Sequence, residues 1–317
     1  MGEPDKNETI YYKVPTSIYR PGDKVEHDVY FYHLRNYVIF KSKSSVWSQV
    51  DAEKLINTQV DTLFIPFKSS KEHHQFLQDK LKNILSARDV PLQRKATVLY
   101  ETADPILATV FTSPQSQELL SGASAYAKSC IQYLNERGAL PELIKLSSDS
   151  FSEHSHALHV SAYSVALAKR LNFQDQQTIF ALGMGALLHD IGKSQIDPNI
   201  LNKATELNDD EWLRIRQHPE LGEKIMDSRQ MVPILSRRII LEHHERVNGK
   251  GYPKGIKGVH QLSRMVAIAD VFTALCADKP YAKAMTPFDA LKYMITTMPH
   301  EFDRQYLQTF ISMLSDS

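Results

Sequence analysis

The chain has 317 residues, with 37 basic and 37 acidic side chains and a formal net charge of zero. Its length allows about two domains. The zero balance argues against a bulk nucleic-acid binder, because no surplus of Lys and Arg is present to displace phosphate counterions. A small phosphorylated ligand needs only a few local cations and stays allowed. No apolar run approaches the roughly 18 residues of a membrane span. Met1-Gly2-Glu3-Pro4-Asp5 lacks a basic stretch followed by an apolar one, so no secretory signal is expected. Met1-Gly2 fits a myristoylation start, but position 6 is Lys rather than Ser or Thr. Cys130 and Cys276 cannot build a disulfide framework, and a reducing cytoplasm is the expected setting.

In chain order, residues 29–34 and 37–41 read as short strands, 49–57 as a helix and 62–66 as a third strand ended by Pro66. Residues 71–86 have helical spacing, with Phe76, Leu77, Leu81, Ile84 and Leu85 along one side. His73 and His74 fall in this charged helix and are expected to be solvated. Residues 96–111 and 115–137 also read as helices, the second stopped by Gly138 and Pro141. Ser147-Ser148-Asp149-Ser150 reads as a junction. The expectation is an α+β chain: a small N-terminal α/β domain over residues 1–145, then an all-α helical bundle over 146–317.

After the junction every strong segment is helical. In 155–171, Ala157, Val160, Ser164, Leu167 and Leu171 recur at three- and four-residue intervals. In 176–190, Ile179, Leu182, Ala186 and Asp190 do the same, so Asp190 is expected to continue the core-facing side. Asn208 with Glu211 resembles a capping pair opening the next helix. Pro219 suits a first helical turn, which places His218 at a helix start. Segments 233–247, 262–277 and 287–298 complete the unit, with no internal repeat.

The chemistry lies in this second half. His189-Asp190 and His243-His244 are adjacent pairs, and His156, His218 and Asp270 stand alone nearby in the pattern. Together they supply nitrogen and carboxylate ligands for two metal ions, and a carboxylate can bridge two ions. Asp270 interrupts the apolar run Met265–Phe272, where an unpaired carboxylate is costly. A cap, or pairing with Arg264 or Lys279, would explain it alone; beside the two His pairs, a metal ligand explains it better. His154 and His159 neighbour His156, and spacing does not choose among the three. Gly192-Lys193-Ser194 is not a phosphate loop, since that motif needs Gly where Leu187 stands, and His243-His244-Glu245 lacks the order of a zinc peptidase. The set reads as a dinuclear metallohydrolase.

Residues from about 150 to 300 resemble the HD-GYP family of bacterial cyclic dinucleotide phosphodiesterases. The matching pieces are His156-Ala157-Leu158-His159-Val160, His189-Asp190-Ile191-Gly192-Lys193 and His218-Pro219-Glu220-Leu221-Gly222. They continue with His243-His244-Glu245, Gly249-Lys250-Gly251-Tyr252-Pro253, and Asp270 through Lys279-Pro280-Tyr281. The resemblance selects His156 and implies one metal on His156, His189, Asp190 and Asp270. It implies a second on His218, His243 and His244, with Asp190 bridging and catalytic. The implied reaction is hydrolysis of cyclic di-GMP by a metal-bridging hydroxide, with iron favoured and manganese allowed. Lys193 resembles a phosphate-contacting lysine, and Gly251 and Tyr252 lie in a substrate-facing loop. The N-terminal domain would regulate, dimerise or meet a signalling partner.

This sequence departs from the family pattern at several positions. Ser152 stands where some members place a Glu ligand for a third metal, with Glu153 displaced by one, so two ions are expected. Asn248 replaces an Asp, and Thr273 stands where Asp is frequent. Lys279 replaces a phosphate-binding Arg, keeping the charge but losing its bidentate geometry. Ala282 replaces a cation, though Lys283 follows. Two further readings are thereby left standing: a metal-retaining cyclic-dinucleotide receptor with little turnover, and a phosphohydrolase of another cyclic nucleotide or dinucleotide.

Overall fold

A computed structural model describes residues 10–148, 152–203, 205–227, 231–278 and 283–316. Strands β1 (Tyr11–Pro15), β2 (Val29–His33), β3 (Asn36–Lys41) and β4 (Thr62–Pro66) form one antiparallel sheet in the order β1-β4-β2-β3. Three of these match the expected strands; β1 was not expected. Its short segment Tyr-Tyr-Lys-Val-Pro becomes a strand by pairing with β4, Tyr11 opposite Pro66 through Pro15 opposite Thr62. Val14, Leu63 and Ile65 point into the core on alternate positions, as the pleat requires. Helix α1 (Gln49–Asn57) joins β3 to β4, opened by a capping box between Ser48 and Asp51.

Four helices follow: α2 (Ser70–Ser86), α3 (Leu92–Thr112), α4 (Gln117–Tyr133) and α5 (Ala139–Ile144). The apolar stripe predicted for α2 is its buried side. His73 and His74 are buried with it rather than solvated. They extend the same stripe one turn back from Phe76 and Leu77, so the spacing already carried this. His73 Nε2 lies 2.9 Å from the carbonyl oxygen of Lys13, and His74 meets the hydroxyl of Thr109.

The second half contains α6 (Glu153–Arg170), α7 (Gln176–Leu187), α8 (Pro198–Leu201), α9 (Asp209–Ile215), α10 (His218–Asp227), α11 (Ile234–Glu242), α12 (Gln261–Leu275), α13 (Pro287–Thr296) and α14 (Arg304–Ser315). The capping box of Asn208 and Glu211 opens α9, and His218 begins α10 as expected. Helix α7 ends at Leu187 instead of running to residue 190, and α11 ends at Glu242 instead of continuing to 247. In both cases the site residues follow in a turn. Helix α14 was not expected, although Tyr306, Leu307, Phe310, Met313 and Leu314 have helical spacing and pack on the cluster around Phe272.

Apolar packing crosses the junction at residue 145. One buried cluster joins the sheet and α2 to α5 with Ala157, Leu158, Met184, Leu187 and Ile191. A second fills the space among α6, α7, α12, α13 and α14. Lys145–Ser148 form a 3-10 turn, and the rest of the expected junction lies outside the described residues. Among the described residues no helix is long and apolar enough to cross a membrane.

Candidate metal centre

Five chain segments converge on one buried point, and each is fixed locally. At the start of α6, Ser152 caps the helix and exchanges hydrogen bonds with Ser155, which sets the first turn carrying His156. His156 Nε2 sits 3.1 Å from Asp270 Oδ1 on α12. Its two neighbours are engaged elsewhere. His154 Nδ1 lies 2.7 Å from Asp104 Oδ1, and buried His159 donates from Nδ1 to the carbonyl of Ser155 at 2.9 Å.

His189 and Asp190 occupy the turn after α7, which passes into a 3-10 helix over Ile191–Gln195. Gly192 lets this turn approach α10. A Cβ there would lie 1.9 Å from the carbonyl oxygen of His218 and 2.6 Å from the nitrogen of Gly222. His218 is thereby held against Asp190, its Nε2 at 3.2 Å from Asp190 Oδ1. The other carboxylate oxygen, Oδ2, faces His189 Nε2 at 3.2 Å and accepts from Lys193 Nζ at 2.6 Å. His243 and His244 follow α11; His243 Nε2 is 3.9 Å from Asp190 Oδ1, and His244 Nδ1 is 3.7 Å from Asp270 Oδ2.

The donors fall into two adjoining groups, Asp190 with His218, His243 and His244, and His156 with His189 and Asp270. Within each, the ligand atoms lie within 4.8 Å of one another. Three imidazoles are oriented in the same way. Nδ1 of His189, His218 and His243 donates to the carbonyls of Ala186, Ile215 and Ile240 at 2.7, 2.7 and 2.8 Å. Each Nε2 then points inward, the orientation a metal ligand needs. His218 Nε2 and His243 Nε2 face each other at 3.1 Å, an arrangement that calls for a cation between them.

The charges agree. Burial pushes His243 and His244 well below the usual histidine range, with neighbouring imidazoles adding to it, so both are neutral. Burial raises Asp190, but Lys193 and His189 outweigh it and hold the carboxyl well below its ordinary value. Asp270 behaves likewise, burial being overcome by the hydrogen bond from His156 and by His244. Buried anionic oxygens beside inward nitrogen lone pairs are a donor set for divalent metal ions.

Residues 138–306 match the HD domain family. The chain belongs to the HD domain family. Over 219 residues it is 32% identical to a cyclic di-GMP phosphodiesterase of Pseudomonas aeruginosa, a match covering 68% of this chain and 51% of that protein. Over 141 residues it is 36% identical to the 3'3'-cGAMP-specific phosphodiesterase 3 of Vibrio cholerae, covering 44% of this chain and 30% of that one. The chain thus spans about half or less of the length of these curated relatives. Its fold is that of an HDG"Y"P protein from Bdellovibrio bacteriovorus, with a TM-score of 0.72 and 19% identity, covering 96% of this chain and 100% of that one.

Around this HD-domain centre, several sequence expectations find a different physical cause. Gly251 has its missing side chain's space taken by the chain itself: a Cβ would lie 2.4 Å from the oxygen of His244 and 2.5 Å from the nitrogen of Arg246. Tyr252 covers the centre, its ring 4.5 Å from that of His244. Arg264 pairs with Asp303 rather than Asp270, and Thr273 turns its hydroxyl to the carbonyl of Ala269. Ser152, at the position of a third-metal ligand, is spent as the α6 cap. Lys283 is exposed; Lys279 and Ala282 lie outside the described residues.

Two acidic residues of the HD domain have roles that the sequence motifs do not assign. Glu245 is buried and accepts from the backbone N–H groups of Lys254, Gly255 and Ile256 at 2.7, 3.1 and 3.1 Å, pinning the loop that carries Tyr252. Glu242 accepts from His260 N at 3.0 Å and Ser263 Oγ at 2.9 Å, tying α11 to α12. An acid directly after His243-His244 and before a glycine-rich loop was the available signal.

Proposed function

We propose that this protein is a metal-dependent phosphodiesterase that hydrolyses cyclic di-GMP. The observation that carries the reading is Asp190: one carboxylate oxygen faces the His218 group and the other faces His189. Similarity to named cyclic di-GMP phosphodiesterases supplies the substrate class. His156, His189, Asp190 and Asp270 would hold one divalent ion, and His218, His243 and His244 the second, with Asp190 shared. Iron is the favoured metal, with manganese accepted. When bound, such ions supply Lewis acidity toward phosphoryl oxygens and a water made acidic enough to attack near neutral pH.

The chain's own residues prepare that chemistry. The carbonyls of Ala186, Ile215 and Ile240 fix the orientation of three imidazole rings before any ligand arrives. Lys193 balances Asp190 and brings an ammonium to the edge where a phosphate oxygen would gain charge. Tyr252 screens the centre from solvent, and Glu245 keeps its loop in place. The first 145 residues are assigned a regulatory or dimer-forming role, since the apolar cluster they share with α6 and α7 links them physically to the His156 and His189 segments. A reducing cytoplasm suits the free thiols of Cys130 and Cys276.

A second reading, a preference for 3'3'-cGAMP, is supported by the 36% identity to the Vibrio cholerae enzyme of that name. Anaerobically purified protein, loaded in turn with iron and manganese, tests both readings on a panel of cyclic dinucleotides with Asp190→Ala as control. Turnover of cyclic di-GMP, lost in the control, is the expected result. Turnover of 3'3'-cGAMP alone would transfer the assignment to the second reading, and absence of turnover with every metal and dinucleotide would reject both.

A further inference from the structure

We propose that Arg216 is a substrate-binding residue that holds the part of a cyclic dinucleotide lying outside the metal centre and so sets specificity for dinucleotides over simple diesters. This rests on the phosphodiesterase reading above. Arg216 forms the C-cap of α9, two residues ahead of His218. Its guanidinium lies 5.5 Å from the centroid of the Tyr252 ring, and that ring lies 4.5 Å from His244 at a tilt of 31°. Guanidinium, phenol ring and imidazole are therefore layered from solvent toward the centre.

Two of the cations near the centre already have partners within the protein. Lys193 is bound to Asp190 at 2.6 Å. Arg246 pairs with Glu301 at 3.3 Å and donates to the carbonyls of His243 and Glu245. Arg216 is exposed and, among the described residues, makes no ion pair. A cyclic dinucleotide carries two phosphodiester anions and two bases. Hydrolysis places one diester at the metal centre, and the remainder must lie beyond it. A guanidinium placed over an aromatic ring offers that remainder a bidentate fork for phosphate and a planar group on which a base can stack.

The chain also supplies a reporter that does not need turnover. Of its two tryptophans, Trp47 is buried and stacked on Tyr19, whereas Trp212 is 48% exposed. Trp212 lies one helical turn before Arg216, whose N–H donates to its carbonyl at 3.0 Å, so the two share a helix face.

The test compares wild type with Arg216→Ala at matched metal content on cyclic di-GMP, 3'3'-cGAMP and bis(4-nitrophenyl) phosphate. The last is a single diester with no second phosphate and no nucleobase. The expected result is a loss of kcat/KM that is about tenfold larger on the dinucleotide than on the small diester, carried by KM, as for one charge-assisted contact. The dissociation constant for a non-hydrolysable phosphorothioate analogue of cyclic di-GMP, read from Trp212 emission in metal-loaded protein, should rise by a similar factor. Equal losses on all substrates, no loss on any, or an unchanged dissociation constant would overturn the proposal. Wild-type hydrolysis of the small diester without either dinucleotide would instead remove the substrate assignment beneath it, and this role with it.

Discussion

Nε2 of His218 and Nε2 of His243 face each other at 3.1 Å, while Nδ1 of each donates to a main-chain carbonyl. Two lone pairs at that separation repel unless a proton or a metal ion joins them. The backbone enforces the arrangement, because the carbonyls of Ile215 and Ile240 belong to rigid helical turns.

Metal binding should therefore relieve a built-in repulsion and stabilise the fold. Stabilisation by a ligand of the native state is about 4 kcal/mol at a thousandfold excess over its dissociation constant. Iron or manganese should raise the melting temperature by several degrees, and a chelator should reverse it. His243→Ala should abolish the metal-dependent shift. Melting curves with and without metal, alongside elemental analysis, check this; a shift retained in the variant would count against the centre.

Asp190→Asn keeps the side chain's shape but removes the charge shared between His189, His218 and Lys193. Turnover should drop at least about 100-fold, with metal content reduced. Steady-state rates normalised to bound metal give the comparison, and a loss below about threefold would argue that Asp190 is not shared between ions.

Glu245→Gln should loosen residues 249–257 without emptying the centre. The carboxylate accepts three backbone N–H groups, and hydrogen bonds to a charged partner contribute about 1.5–3 kcal/mol each. Faster hydrogen exchange in that loop is expected, with metal content near wild type and weaker dinucleotide turnover. Unchanged exchange would show that the loop is held by other contacts.

Gly192→Ala should prevent the approach of the His189-Asp190 turn to α10. The added Cβ would meet backbone atoms of His218 and Gly222, which cannot rotate away as a side chain would. Overpacking of this kind costs about 3 kcal/mol or more. Gly258→Ala meets nothing within 4 Å and is the control, with an expected change within about 0.5 kcal/mol. Denaturant unfolding distinguishes the two.

Burial lowers His73 to about 4, so it is neutral in the fold while the unfolded chain protonates near the ordinary value of 6.5. Between these values the unfolded state binds more protons, so stability from this group falls as pH drops from about 6.5 toward 4 and is constant above. The slope contributed by one such proton is at most about 1.4 kcal/mol per pH unit. His73→Gln should flatten the acid limb of a stability-versus-pH curve; an unaltered limb would place the titration elsewhere.

The sequence by itself determined the pool of candidate metal donors and the helical class of the second half. Adjacent His-Asp and His-His pairs, and an Asp inside the apolar run of α12, are local patterns whose chemistry needs no coordinates. The burial of His73 and His74 and the existence of α14 also follow from spacing alone. Other features depended on contacts between segments far apart in the chain. Strand β1 exists because β4 offers it a partner, and the turn after α7 reaches α10 because Gly192 has no side chain in the way. His156 is separated from His154 and His159 by what each meets across the fold: Asp270, Asp104 and the carbonyl of Leu143. Spacing places all three on one helix, and only tertiary packing decides which imidazole faces the buried carboxylates.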